Sequence, residues 1–181
     1  QIGTYDSTKE RIGRWAPWAD PPDYIEYPDI EEDIIPGWAA WFLFKEAKEF
    51  TFQGTETPTI IGPDGLEGYA VKIHQGWNQV GNPFAYSILV ERCLVIDQDG
   101  TVVRLLAAGN NITQRVFWVW TGKYQAGVIL GIADGGWLYK KTAGEGELFF
   151  PAARVSDSTD LTAVAADESE EQPPAPPASS G

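Results

Sequence analysis

The chain of 181 residues has few of the groups on which most enzymes and metalloproteins depend. It contains one cysteine, one histidine and no methionine. Cys93 has no partner for an internal disulfide, and its apolar surroundings predict a buried position. No cysteine-based metal motif or glycine-rich phosphate loop occurs. Because His74 has no serine or cysteine nucleophile motif nearby, we expect no catalytic, cofactor-binding or metal-binding residues, although a carboxylate pair brought together by folding stays open.

Positive charge is scarce as well. The chain has 13 Lys and Arg against 26 Asp and Glu, which gives a net charge of −13. We expect no nucleic-acid binding, because so few cations cannot neutralise a run of phosphates. No apolar stretch reaches the length of about 18 residues that a membrane-spanning helix needs, so we expect no membrane insertion. Gln1 is not an initiator, and we therefore expect a processed product or an excised part of a longer protein.

Aromatic residues and chain-bending residues are abundant. Aromatic residues make up 13% of the chain, including eight Trp, and there are 19 Gly and 13 Pro. Such a composition favours many short strands joined by turns. We predict a mostly antiparallel all-β domain, a β-sandwich or compact double-sheet domain, over residues 1–153, with a tail over residues 154–181.

Two-residue alternation and short apolar runs locate the predicted strands. The run at residues 37–45 is typical of a buried central strand. Asp99-Gly100 predicts a hairpin turn after a strand-like segment at residues 87–96. Residues 101–108 fit either a strand or a short helix. Other strands are predicted at residues 49–53, 69–75, 115–121, 124–130, 137–141 and 147–151, with a hairpin at residues 144–146.

The chain is organised around its central stretch, residues 76–84. Its glycines permit positive φ and close backbone approach, and Asn82 before Pro83 is held out of the helical region. Trp77 and Phe84 supply large apolar groups on either side of the bend. We interpret the stretch as a structural corner pinned onto the core, with an aromatic binding loop as the alternative. The residues assigned to this motif are Gly76, Trp77, Asn78, Gly81, Asn82, Pro83 and Phe84.

Two acidic segments lie outside the predicted strands. The first comprises Asp29, Glu31, Glu32 and Asp33; it lacks the ligand spacing and central glycine of a calcium loop, so a solvated charge run is favoured over a cation site. The second is the tail, in which six acids and one Arg give a net charge of −5. Rich in Pro, Ala and Ser, the tail is too polar to form a core, and we expect a disordered-type or polyproline-like spacer.

An internal echo divides the domain into halves at about residues 1–75 and 76–153. Tyr27 and Trp41 lie 14 residues apart in the first half, and Tyr124 and Trp137 lie 13 residues apart in the second. This spacing predicts two related β units that cover each other's aromatic faces.

Further motifs occur along residues 3–151, namely Arg14-Trp15, Tyr24-Ile-Glu-Tyr-Pro28, Pro36-Gly37 with Trp41, the central Gly-Trp-Asn-Gln and Gly-Asn-Pro-Phe, Trp118 with Trp120 and Tyr124, and Gly136-Trp137. In this series the sequence resembles a β-rich module of large bacterial extracellular and cell-surface multidomain proteins. The resemblance implies secretion and a non-catalytic role. Such modules begin with an additional strand before the position of Gly3, so we expect a sheet edge here that another chain could complete.

Two functions follow as hypotheses. The first is a structural or interaction module of an extracellular or cell-surface assembly, such as a self-associating filament or layer subunit completed by strand exchange. Its partners would be other copies of the chain or neighbouring surface proteins. The alternative is a carbohydrate-binding module that stacks glycan on exposed indoles, with Trp18, Trp38 and Trp77 as the candidates.

Overall fold

The structure, a computed structural model, describes residue 6 and residues 9–31, 33–46, 54–155 and 170–177. The predicted strand at residues 49–53 and Glu32 of the first acidic segment lie outside these ranges. Within them the only helical structure is a pair of 3-10 turns, Pro63–Gly65 and Val90–Arg92, and neither has the length or apolar character to cross a membrane. The predicted all-β class is confirmed.

Fourteen strands occur in the described ranges, and every pairing between them is antiparallel. They are β1 (Glu10–Ala16), β2 (Asp23–Glu26), β3 (Trp41–Phe44), β4 (Ile60–Ile61), β5 (Glu67–Ile73), β6 (Gly76–Gly81), β7 (Ile88–Leu89), β8 (Leu94–Asp97), β9 (Val102–Arg104), β10 (Trp118–Trp120), β11 (Tyr124–Ala126), β12 (Ile129–Leu130), β13 (Gly135–Lys140) and β14 (Gly146–Pro151).

These strands form four sheets. The largest has five strands in the order β4-β5-β14-β8-β9, and the next has four in the order β11-β10-β13-β6. A three-stranded sheet, β2-β1-β3, and the pair β12-β7 complete the fold. The four-stranded sheet lies wholly after residue 75, whereas the five-stranded sheet combines β4 and β5 from before that position with three strands from after it, so a division there cuts the five-stranded sheet.

The two large sheets are joined by a bent antiparallel ribbon. One arm is β5 followed by β6, and the other is β13 followed by β14. On one side of the bend β5 pairs with β14, and the pair nearest the bend is Ile73 with Gly146. On the other side β6 pairs with β13, and the pair nearest the bend is Gly76 with Lys140. Each arm therefore leaves one sheet and enters the other at the same level, at residues 74–75 and 141–145. We call this double strand the bent ribbon.

Two apolar clusters pack against the bent ribbon. The main cluster contains fully buried Ile73, Leu138, Leu148 and Phe150 together with the side chains of β7, β8 and the loops around them. The second is aromatic and consists of Trp77, Val116, Trp118 and Trp137. Burying one large apolar side chain contributes about 1.5–3 kcal/mol, so these clusters supply the main stabilisation of the domain.

Some sequence predictions of strands are wrong in detail. The run at residues 37–45 is not a central strand: Trp41–Phe44 is an edge strand of the three-stranded sheet with half-buried or exposed side chains, and Trp38 makes a single bridge to Val80. Gly37 has a φ of +80°, which interrupts the extended backbone. An apolar run in the sequence indicates that a segment is buried, but a buried segment can be irregular as well as a strand.

Turns interrupt other predicted strands. Residues 87–96 are divided by the 3-10 turn Val90–Arg92, and residues 124–130 form two short strands in different sheets. Residues 144–146 do not form a simple hairpin, because β13 and β14 belong to different sheets and the turn is part of the bend. By contrast, the hairpin at Asp99-Gly100 is confirmed, and β9 shows that residues 101–108 begin as a strand.

A buried ion pair holds the bend. The Lys140 side chain is completely buried, and its Nζ lies 2.9 Å from Asp97 Oδ1. The ammonium also donates to the Thr142 hydroxyl at 2.6 Å and to the carbonyl oxygens of Thr142 and Ala143 at 3.0 and 3.2 Å. The hydrogen bond from Lys140 lowers the pKa of Asp97, which keeps the counter-charge in place.

We expect Asp97→Asn to lower the free energy of unfolding by about 3 kcal/mol at neutral pH, because the buried ammonium loses its counter-charge. Since the pKa of Asp97 is lowered in the folded state, its contribution is complete above the unfolded value of about 4 and is lost as the pH falls through the folded value. The difference in free energy of unfolding between the variant and the parent should therefore become smaller at acidic pH. Urea titrations at neutral and acidic pH measure both effects.

The matched control for this experiment is Asp29→Asn, which removes an exposed carboxylate. We expect the free energy of unfolding of this control to stay within about 0.5 kcal/mol of the parent. Equal stability of the two asparagine variants would contradict the structural role assigned to the ion pair.

Candidate functional site

The motif at residues 76–84 lies where the bent ribbon changes sheets. Its first part, Gly76–Gly81, is strand β6 and not a turn, so the predicted corner is displaced to residues 74–75 and to the segment after Gly81. Gly76 has a φ of +91°. Trp77 enters the aromatic cluster, whereas Phe84 enters the main core. The motif therefore connects the two clusters.

Two asparagine amides fasten this motif to its neighbours. Asn78 is buried; its Oδ1 accepts from the backbone N–H of His74 at 2.8 Å, and its Nδ2 donates to the carbonyl of the same residue at 2.7 Å. Asn82 donates to the carbonyls of Tyr86, Leu130 and Gly131 at 2.8, 3.1 and 2.9 Å. Its Oδ1 accepts from the backbone N–H of Phe84 at 2.9 Å. These side chains replace backbone pairing where the strands end.

Two of the three candidate stacking residues meet in one cleft. The cleft has a volume of about 350 Å³, and Trp18 and Trp38 lie in its walls. The Arg14 guanidinium carbon lies 5.1 Å from the ring centre of each indole, which is cation–π distance. His74 lies beside them, with its ring centre 6.0 Å from that of Trp18. We call this site the Trp18–Trp38 cleft.

The three candidate indoles differ in their availability. Trp18 is 48% exposed, and Trp38 is half-buried with its Nε1 inaccessible and without a hydrogen-bond partner among the residues that the structure describes. Trp77 is only 9% exposed and packs edge-on against Tyr139 at a centre-to-centre distance of 5.0 Å. The indole of Trp77 is therefore part of the core and cannot stack on a sugar.

A second aromatic surface lies at the edges of two sheets. It consists of Tyr24 and Trp41 from the three-stranded sheet and Trp120 and Tyr124 from the four-stranded sheet, and we call it the aromatic platform. Trp41 and Trp120 pack edge to face at 5.8 Å, and Trp120 and Tyr124 do so at 4.9 Å. Trp120 remains 40% exposed, so this end of its strand is only partly covered.

Residues 170–177 of the tail, Glu-Glu-Gln-Pro-Pro-Ala-Pro-Pro, lie against this platform. The Tyr124 hydroxyl donates to the Pro174 carbonyl at 2.5 Å, and the Tyr24 hydroxyl donates to the Ala175 carbonyl at 3.1 Å. Tyr24 also accepts from Trp41 Nε1 at 3.0 Å, which forms a relay of hydrogen bonds. Pro173 is buried. We call residues 170–177 the tail segment.

Contacts beyond the platform fix both ends of the tail segment. At its start, Lys141 Nζ lies 3.3 Å from Glu170 Oε1, and Gln114 Nε2 donates to the Glu171 carbonyl at 3.1 Å. At its end, Pro177 lies beside Gly13, where a Cβ on the glycine would come within 3.2 Å of the proline Cγ. The segment therefore passes from the bend of the ribbon, across the platform, to β1.

The chemistry of the platform matches that of the tail segment. Four prolines leave residues 172–177 with only two backbone N–H groups, so the segment cannot pair as a strand and mainly offers carbonyl acceptors. The platform supplies two complementary donors, the phenol hydroxyls, and Gln114 beyond the platform adds one side-chain amide. Burial raises the pKa of Tyr124 to about 12 and raises that of Tyr24 even more, so both hydroxyls keep their protons at physiological pH.

Sequence reasoning did not assign these tyrosines to a site. Tyr24 entered only through the motif series, and Tyr124 entered through that series, the internal echo and a predicted strand. They lie 100 residues apart in sequence, and each is on a short edge strand of a different sheet. The available signal was the coexistence of a proline-rich tail with an excess of Trp and Tyr, which is the pairing used in proline recognition.

The nucleophilic and titratable groups of the described ranges are dispersed. Cys93 is buried as predicted, and burial raises its pKa to about 12, which keeps the thiol unreactive. His74 lies at the bend with Nδ1 3.9 Å from Glu145 Oε1. No three His, Cys, Asp or Glu side chains among these residues are grouped in a way that could hold a metal ion.

We expect Asn82→Asp to lower the free energy of unfolding by about 2–3 kcal/mol, because a carboxylate cannot donate to the three carbonyls that the amide now satisfies. The loss should be smaller in acid, where a protonated carboxyl regains one donor. Chemical denaturation measures it, with Asn111→Asp as the exposed control. A variant as stable as this control would exclude the assigned role of Asn82.

Comparison of the chain with protein-family models, with curated proteins and with solved structures finds no match. The resemblance to modules of bacterial extracellular proteins therefore stays a prediction. Any functional conclusion has to come from the chemistry of the aromatic platform and of the Trp18–Trp38 cleft.

Proposed function

We propose that the chain is a non-catalytic association module of an extracellular or cell-surface assembly. The observation that carries this proposal is the recognition of consecutive carbonyls of the tail segment by the hydroxyls of Tyr124 and Tyr24. A surface that holds a peptide through its backbone carbonyls is a binding surface for polypeptide. In this proposal the recognised element is a proline-rich segment, whereas the hypothesis from the sequence placed strand exchange in that role.

The physical advantage of such a surface lies in the ligand. Proline fixes φ near −65°, so a proline-rich segment loses little conformational entropy when it binds. Aromatic rings provide flat apolar contact with proline rings, and hydroxyls at their ends satisfy the carbonyls. Each neutral hydrogen bond contributes about 1 kcal/mol, so two tyrosines determine a large part of a weak binding energy.

A direct test uses the full chain with residues 172–177 replaced by an alternating Gly-Ser sequence of equal length, which leaves the platform open. A fluorescent peptide of residues 170–177 should bind to this protein. Adding Tyr24→Phe and Tyr124→Phe should weaken binding about 10- to 30-fold, because two hydrogen bonds of about 1 kcal/mol each are lost. Fluorescence anisotropy gives the Kd.

The matched control for the tyrosine substitutions is Tyr69→Phe, which removes a hydroxyl outside the platform and should leave the Kd unchanged. A peptide of residues 170–177 with its prolines replaced by alanine should bind more weakly than the native peptide. If the native peptide does not bind to the open platform at all, the proposed function is wrong.

A second candidate function is carbohydrate binding at the Trp18–Trp38 cleft. It is favoured by the exposed Trp18 ring, which lies in the wall of the cleft together with the half-buried Trp38 ring. An indole that is half-exposed beside a cleft can stack on the apolar face of a sugar ring.

For this candidate, we expect at least one oligosaccharide of a soluble panel to shift the tryptophan fluorescence of the chain. Trp18→Ala should weaken that binding about tenfold, since one stacking contact contributes about 0.5–1.5 kcal/mol beyond the buried area. Trp120→Ala removes an exposed indole outside the cleft and serves as the control. Equal binding by both variants would place the glycan elsewhere, and an unchanged fluorescence across the panel would reject the candidate.

A further inference from the structure

We infer that two copies of the chain exchange their tail segments, so that residues 170–177 of one copy lie on the aromatic platform of the other. This inference rests on the proposed function and names the partner, which is a second copy of the chain. The ligand with the demonstrated fit to the platform is a segment that every copy carries.

The covalent connection of the tail segment permits this exchange. The last residue before it that the structure describes is Val155, whose backbone N–H donates to the Ser87 carbonyl at 3.0 Å. Residues 156–169, fourteen in number, lie between Val155 and the tail segment. A connection of this length spans at most about 50 Å, which exceeds the width of a small domain and reaches a neighbouring copy.

The contacts themselves do not distinguish the two copies. The carbonyls of Glu171, Pro174 and Ala175 accept from side chains of the domain, and Glu170 pairs with Lys141. Each of these contacts would re-form unchanged between copies. The free energy of exchange therefore depends on the length of the connecting segment, residues 156–169, and on the protein concentration, as in other exchanges of identical elements between protomers.

Concentration then decides which arrangement dominates. A connection of this length holds the segment at an effective concentration on the order of 1 mM near its own platform. A dilute chain closes on itself, and copies held close together at or above this concentration exchange. The net charge of −13 opposes close approach, so added salt should favour exchange by screening the repulsion.

The contact between Gly13 and Pro177 allows a covalent test. One copy carries Gly13→Cys, and a second copy, with a mass tag, carries Pro177→Cys. Cys93 is 1% exposed and does not compete. Under mild oxidation at about 1 mM protein and 0.5 M salt, which shortens the Debye length to about 4–5 Å, we expect a disulfide-linked pair of the two copies on a non-reducing gel. Its yield should rise with concentration.

Two controls separate exchange from random collision. Gly109→Cys places a thiol at an exposed glycine with open space around it, and in place of Gly13→Cys it should give at least fivefold less of the mixed pair. Adding Tyr24→Phe and Tyr124→Phe to the Gly13→Cys copy should reduce the mixed pair to the same background.

A single chain with both Gly13→Cys and Pro177→Cys distinguishes the two proposals. If this chain closes its own disulfide but the mixed copies yield only background pairs, the tail segment binds its own platform and the exchange is overturned. If neither experiment gives a specific disulfide, the segment does not occupy the platform, and the proposed function fails together with the exchange.

Discussion

The pairing of two long chain segments along the bent ribbon determines where the other elements lie. Because both arms bend at the same residues, the five-stranded and four-stranded sheets are held together; the main apolar cluster draws side chains from both sheets, and the aromatic cluster lies on the four-stranded sheet. The bend breaks the regular ladder, so its polar groups need other partners. Asn78 supplies them at residues 74–76, and Lys140 supplies them at residues 142–143. An unsatisfied polar group at this position would lower the free energy of unfolding, so the stability of the domain depends on the side chains of Asn78 and Lys140.

The aromatic platform is a consequence of the same arrangement. The edge of a sheet presents backbone groups that are not paired within it, and two edges close together would invite strand addition. Here the short edge strands β2 and β11 carry aromatic residues, and a chain with few N–H groups lies across them. A proline-rich segment can contact these side chains without adding a strand, so binding at the platform does not extend the sheet into an open-ended aggregate.

The sequence predicts the fold class better than it predicts the sites. Alternating patterns and the Asp-Gly turn act over a few residues, and for this reason β14 and the β8–β9 hairpin were located correctly. The central-strand prediction for residues 37–45 failed, because apolar character alone does not report the positive φ of Gly37. Among the candidate indoles, burial separated Trp77 from Trp18, although both lie in aromatic surroundings in the sequence. The platform depends on Tyr24 and Tyr124, whose proximity is created only by the pairing of distant strands.

Binding of a chain's own segment sets a threshold for association. A platform closed by its own tail is protected at low concentration, and its aromatic rings are kept from unrelated chains during folding. The affinity between copies does not need to be high, because two exchanged segments bind together and the second event is intramolecular. The threshold would be crossed only where copies are crowded, as at a cell surface or within a layer. Under the proposed exchange, weak contacts with a concentration threshold would give assembly where copies are crowded and monomers where they are dilute, with no change in the domain itself.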